Sequence, residues 1–90
     1  MDLKQLRFWQ RHHQPTTIVI DPYCGTYSDG EWLAFPLDTW DVPKDIDAGD
    51  MECCIFWKEY DQPVGKGSTP DEALNNLKEV VSNMLHDSNR

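Results

Sequence analysis

Six carboxylates, Asp38, Asp41, Asp45, Asp47, Asp50 and Glu52, fall within one stretch of fifteen residues, against a single base, Lys44. That segment carries five of the chain's eight net negative charges. Crowded like charges repel, so such a run costs stability unless it does something else. A surface that seeks phosphate would be basic, so direct nucleic-acid binding is not expected. The chemistry that suits these side chains is capture of a basic protein surface. Trp40, Val42, Pro43 and Ile46 are threaded among the acids, which separates the segment from plain acidic low complexity. Trp40 has two readings. It pins the segment to the rest of the fold, or it faces outward as an anchor, where an indole among carboxylates suits an Arg or Lys through cation–π contact. The expected partner-binding set is Asp38, Trp40, Asp41, Asp45, Asp47, Asp50 and Glu52.

Other chemistries fit less well. An EF-hand counted from Asp45 needs Gly at position six and Glu at position twelve. Asp50 and Phe56 stand there instead. His12 and His13 with a cysteine could hold zinc, but the ligand spacings of zinc sites are missing, and an exposed pair at a helix end is the simpler reading. No metal and no cofactor is expected. Cys24 lies beside Gly25 at a turn, with His12 or His13 as a remote base, which keeps a small cysteine-dependent enzyme open as an alternative. Without a Cys-His motif the expectation is a non-catalytic protein.

Ninety residues make one domain, with a small core for which ten aromatic residues supply bulk. No run of eighteen apolar residues exists, so no membrane span is expected. The N-terminal stretch lacks the apolar centre of a secretory signal. Three cysteines, two of them adjacent, disfavour a disulfide framework and point to a reducing, cytoplasmic setting.

These residues need elements to position them. Asp2 caps a first helix over about 2–13, with Leu3, Leu6 and Trp9 on one side, and Pro15 ends it. A β-hairpin covers about 16–37. The β-branched run Thr16–Asp21 forms its first strand, which Tyr23–Tyr27 could extend. Ser28-Asp29-Gly30 turns the chain, and Glu31–Leu37 returns with Trp32 and Ala34 facing opposite to Leu33 and Phe35. The acidic segment, 38–52, has room for a short helical turn near Val42–Ile46. Met51–Tyr60 reads as a third strand, with Cys53, Ile55 and Trp57 on one face and Cys54, Phe56, Lys58 and Tyr60 on the other. Thr69-Pro70-Asp71-Glu72 is a capping box that opens a helix over about 70–86. Its apolar side is Ala73, Leu74, Leu77, Val80, Val81, Met84 and Leu85. The fold class is therefore α+β in the order α-β-β-β-α: a three-stranded antiparallel sheet with helices packed on one face.

The string from Gly65 to Leu74 (GKGSTPDEAL), followed by Asn76-Leu77-Lys78-Glu79, resembles the N-terminal domain of HicB-type antitoxins. In that family a strand ends in a glycine-bearing turn and passes into a Thr-x-x-Glu-Ala-Leu helix start. Tyr27–Pro36 (YSDGEWLAFP) resembles the family's opening hairpin. The likeness spans about half the chain. It implies a small antiparallel sheet with helices on one face, and a basic RNase toxin as partner. The element order is similar to that of double-stranded RNA-binding domains too. Those carry Lys-rich phosphate contacts where this chain has Pro70, Asp71 and Glu72.

Two versions of one function follow. In the first, the chain is antitoxin-like and blocks a small toxin RNase. In the second, a phage or mobile-element inhibitor of the anti-restriction or anti-CRISPR type mimics nucleic acid, its carboxylates imitating phosphates about 3.4 Å apart along a strand, and occupies a nuclease or nucleic-acid-binding complex. Pairing of two copies through a strand edge, at Thr16–Asp21 or Met51–Tyr60, is a further expectation for so small a sheet.

Overall fold

The computed structural model describes residues 1–88. Helix α1 (Leu3–His12) leads into strands β1 (Thr17–Ile20) and β2 (Trp32–Phe35). Two short 3₁₀ turns, Thr39–Asp41 and Lys44–Asp47, precede helix α2 (Asp50–Glu59). Strand β3 (Gly65–Gly67) and helix α3 (Pro70–Ser88) complete the chain. The sheet is antiparallel throughout, in the order β1-β2-β3. Ile18 pairs with Ala34, Leu33 with Lys66, and Ala34 with Gly65. The α+β class and the three-stranded antiparallel sheet are as the sequence predicts.

One element differs in kind. Met51–Tyr60, predicted as the third strand, is α2, and the third strand is the short Gly65–Gly67. The composition of Cys53-Cys54-Ile55-Phe56-Trp57 favours a strand, but burial chooses otherwise. A helix places Cys53 and Trp57 one turn apart on a single side, and both are buried. Gly49 supplies the N-cap, and its carbonyl accepts from Cys53 N at 2.8 Å. Asp50 and Glu52 lie in the first turn, where the helix dipole favours negative charge.

The two sides of the sheet have separate cores. On one, α1 and α3 bring Leu6, Trp9, Ala73, Leu77, Val81 and Leu85 against Ala34. On the other, Leu33 and Phe35 meet Ile46, Cys53 and Trp57. The predicted pair of helices thus shares one face, and α2 covers the opposite face. The alternation of Trp32 and Ala34 against Leu33 and Phe35 is what divides the cores.

Caps hold the outer helices. Asp2 Oδ1 accepts from Gln5 N at 2.9 Å, and Gln5 reaches back to Asp2 N. At α3, Thr69 Oγ1 accepts from Glu72 N at 3.1 Å. Glu72 returns not to Thr69 but to Ser68, accepting from its amide at 3.3 Å and its hydroxyl at 3.2 Å. The sheet and α3 meet where side chains are smallest. A Cβ on Gly65 would lie 2.0 Å from the Ala73 carbonyl oxygen, so only glycine lets the two backbones approach this closely.

The predicted extension of β1 through Tyr23–Tyr27 is instead a loop organised by Asp21, which is 2% exposed. Its carboxylate accepts from Tyr23 N at 3.2 Å, Gly25 N at 2.8 Å and the Ser28 hydroxyl at 2.6 Å. Gly25 sits at a φ of 87°, in the left-handed region. A buried carboxylate satisfied by three donors is an anchor for backbone that has no sheet partner. Among the described residues, no helix is long and apolar enough to cross a membrane.

Candidate functional site

The acidic segment is tacked down by its apolar residues and displays its charged ones. Ile46 is buried in the core beneath α2, and Val42 packs at the edge of the same cluster. The loop after β1 holds the segment from the side. Tyr23 Oη donates to the Ala48 carbonyl, and Tyr27 Oη donates to Asp50 Oδ1 at 3.2 Å. The two rings stack edge-on, with centroids 5.4 Å apart. Burial pushes the Tyr23 hydroxyl above its ordinary value, and the charges of Asp50, Glu52 and Asp47 push it further. Tyr27 is raised as well, by burial and then by its bond to Asp50. Sequence reasoning missed both tyrosines, because their role depends on a contact more than twenty residues away.

Asp38, Asp41, Asp45, Asp47, Asp50 and Glu52 are all exposed. Among the described residues, the Tyr27 hydroxyl on Asp50 is the one side-chain partner found for them, and none joins a Lys or Arg in an ion pair. Trp40 is 89% exposed, so the reading in which it pins the segment to the sheet does not hold. It stands on the Thr39–Asp41 turn between Asp38 and Asp41.

The structure does not gather the seven residues into one patch. Asp38 and Asp41 border a hollow of about 350 Å³ beside α1, with Lys4, Phe8 and Pro36 among its walls. Asp45 and Glu52 border a different groove of about 400 Å³ along α2. Ile55, Phe56 and Tyr60 supply its apolar wall, and Glu59 and Asp61 close its far end. Every ionisable carboxyl group there is acidic and no base lines it, whereas the α1 hollow holds Lys4. Ile55, Phe56, Glu59, Tyr60 and Asp61 were absent from the sequence-predicted set. The signal was present: Glu52, Ile55, Phe56 and Glu59 recur at intervals of three and four, which is one face of a helix. The strand assignment for Met51–Tyr60 scattered them to two faces.

The acids differ in what their position costs. Asp50 and Glu52 occupy the first turn of α2, where the dipole compensates them. Glu59 ends α2 and Asp61 follows it, at the negative end of the dipole, where a carboxylate is disfavoured by roughly 0.3–1 kcal/mol.

The other chemistries can now be located. Cys24 is exposed, and the groove beside it is lined by Gly25, Asp29, Glu31, Lys66, Ser68 and Glu72 among others, without a histidine. His12 borders another hollow, with Phe8 and Thr16. Burial pushes the Cys53 thiol up, and the Asp21 charge adds to it, so this sulfur stays protonated at neutral pH. Among the described residues, no group of three or more His, Cys, Asp or Glu side chains is placed to hold a metal ion. With Met51–Tyr60 helical, Thr17–Ile20 is the one of the two expected pairing edges that is a strand. Comparison with protein-family models, curated proteins and solved structures finds no match to this chain.

Proposed function

We propose that this chain is a non-catalytic, acidic protein that binds a basic, nucleic-acid-acting protein and blocks it, in the manner of an antitoxin. The observation that carries the reading is Trp40, 89% exposed between two exposed carboxylates that form no ion pair with a Lys or Arg among the described residues. A large indole left in water gains about 25 cal/mol for each Å² it later buries, which makes it a ready anchor. The surrounding charge accelerates encounter with a cationic surface. A cytoplasmic setting agrees with the three free thiols. The antitoxin-like version is favoured over nucleic-acid mimicry because Asp38 and Asp41 border one groove, Asp45 and Glu52 another, and Asp47 and Asp50 neither, which is not one continuous track.

The test is capture of the partner from the native host, followed by binding kinetics. The triple variant Asp41→Asn, Asp45→Asn, Asp47→Asn should slow association at low ionic strength, and the difference should shrink as salt rises. Trp40→Ala should act on dissociation instead, at about 2 kcal/mol or more if the indole is the anchor. An association rate untouched by the triple change at low salt would remove the acidic segment from the interface.

A further inference from the structure

Helix α2 is apolar on two opposite sides. Cys53 and Trp57 point into the core, while Met51 and Ile55, also one turn apart, remain 73% and 50% exposed. A helix of a small domain ordinarily keeps its outer side polar; α2 does so at Asp50, Glu52, Lys58 and Glu59 but leaves two large apolar side chains among them. Within the described chain, one of those sides has no cover. The groove along it has an aromatic wall fixed from behind: Phe56 lies 4.9 Å from Tyr60 and 5.0 Å from Trp57, centroid to centroid. A rigid, preformed wall loses little entropy when something docks.

The rim specifies the occupant's charge. Asp45, Glu52, Glu59 and Asp61 surround the groove without a base among its lining residues. Glu59 and Asp61 stand where the α2 dipole opposes them, so their presence does not serve the isolated helix. Glu52 and Glu59 are two turns apart, about 10.5 Å along the axis. An antiparallel or parallel helix laid against α2 repeats on the same spacing, with apolar side chains meeting Ile55 and Phe56 and basic ones flanking them.

We propose that the α2 groove is the docking site for a cationic amphipathic helix of the partner protein, with Ile55 and Phe56 as the apolar seat and Glu52 and Glu59 as the flanking clamps. A net charge of −8 on each chain opposes a second copy as occupant, although α1 carries Lys4, Arg7 and Arg11 with no acid. Concentration-dependent dimerisation in sedimentation that Glu52→Gln/Glu59→Gln abolishes would make the occupant a second copy and overturn the proposal. Nucleic acid is excluded by charge. The proposal rests on the reading that the partner is a basic protein, and it adds to the contact at Trp40 a second one, a helix of that partner in the α2 groove.

The experiment uses the full chain and a short synthetic helix with Leu at heptad positions a and d and Arg at e and g, beside a scrambled peptide of equal composition. Amide chemical shifts map where the peptide sits, and anisotropy of the labelled peptide gives affinity. The expected result is shift changes centred on Ile55, Phe56, Glu59 and Tyr60. Affinity should fall about twofold to thirtyfold in Glu52→Gln/Glu59→Gln, the summed worth of two exposed ion pairs. Ile55→Ser should weaken binding while leaving the far-ultraviolet spectrum unchanged. Equal affinity for the scrambled peptide would overturn the helical fit, because charge alone would then suffice. Shift changes confined to Asp38, Trp40 and Asp41 would overturn the groove while leaving the basic-partner reading intact. Binding of neither peptide anywhere at low salt would remove both.

Discussion

Helices α3 and α2 are built by opposite rules. In α3 every local preference agrees: a capping box, Pro70 in the first helical position, acids at the start, and one apolar side that buries Ala73, Leu77, Val81 and Leu85. In α2 the preferences conflict. No side chain caps it, its residues favour a strand, it is apolar on two sides, and its last acids oppose its dipole. Consistency across levels marks a segment shaped for folding, and conflict marks one shaped for something else. The lesson is that α3 serves stability, while α2 holds a core contact on one side and leaves Met51 and Ile55 exposed on the other.

The largest effect that tests this contrast is in α3. Leu77 is fully buried between α3 and the sheet, so Leu77→Ala should cost about 2–5 kcal/mol in a denaturant titration. A loss under about 1 kcal/mol would mean that α3 is not the principal source of stability.

A smaller effect belongs to the C-terminal end of α2. Burial raises the Tyr60 hydroxyl above its ordinary 10.0, and the Asp61 carboxylate adds to that. The unfolded chain therefore loses this proton at lower pH than the folded one. Between 10.0 and the raised value the native state holds more protons, so stability falls as pH rises through that window. The denaturation midpoint should begin to fall near pH 9, where the Cys53 thiol ionises in the unfolded chain, and fall more steeply above about pH 10. Tyr60→Phe should flatten part of that decline, leaving the share that Cys53, Tyr23 and Tyr27 contribute. A decline identical in Tyr60→Phe would place the effect elsewhere.

The smallest expected change is the most discriminating. Met51→Ser and Ile55→Ser, on the outer side of α2, should shift stability by no more than about 0.5 kcal/mol each. A loss of several kcal/mol would show that this side already serves the fold, and the contrast with α3 would fail.

The legible parts of the sequence were those whose pattern is set by spacing within one element. The α3 stripe follows from one buried side and one wet one, the Asp2 cap from local spacing, and the facing of Trp32 through Phe35 from strand alternation, which holds although both sides are covered. Met51–Tyr60 could not. Its alternating and helical periodicities coincide when both sides are apolar, and five bulky residues in a row carry no preference that survives packing. The third strand was hidden for the converse reason: Gly65-Lys66-Gly67 has almost no side chains to signal a strand. Its place is set by the need for α3 to approach the sheet.

The candidate site divides in the same way. That the segment 38–52 is acidic and carries an exposed-capable Trp follows from composition alone. Which acids share a groove does not, because Glu59 and Asp61 join Asp45 and Glu52 only once α2 is a helix turned with Ile55 outward.

By itself, the sequence determined the charge of this protein, its α+β class and its best-capped helix, since these depend on residue types and on spacing within one element. The tertiary structure decided that Trp40 faces water, that Asp21 is buried under three donors, and that Asp38 and Asp41 border one groove while Asp45 and Glu52 border another. Those outcomes turn on which surfaces meet across the sheet, and the free energy of such meetings belongs to pairs of distant residues rather than to any local run.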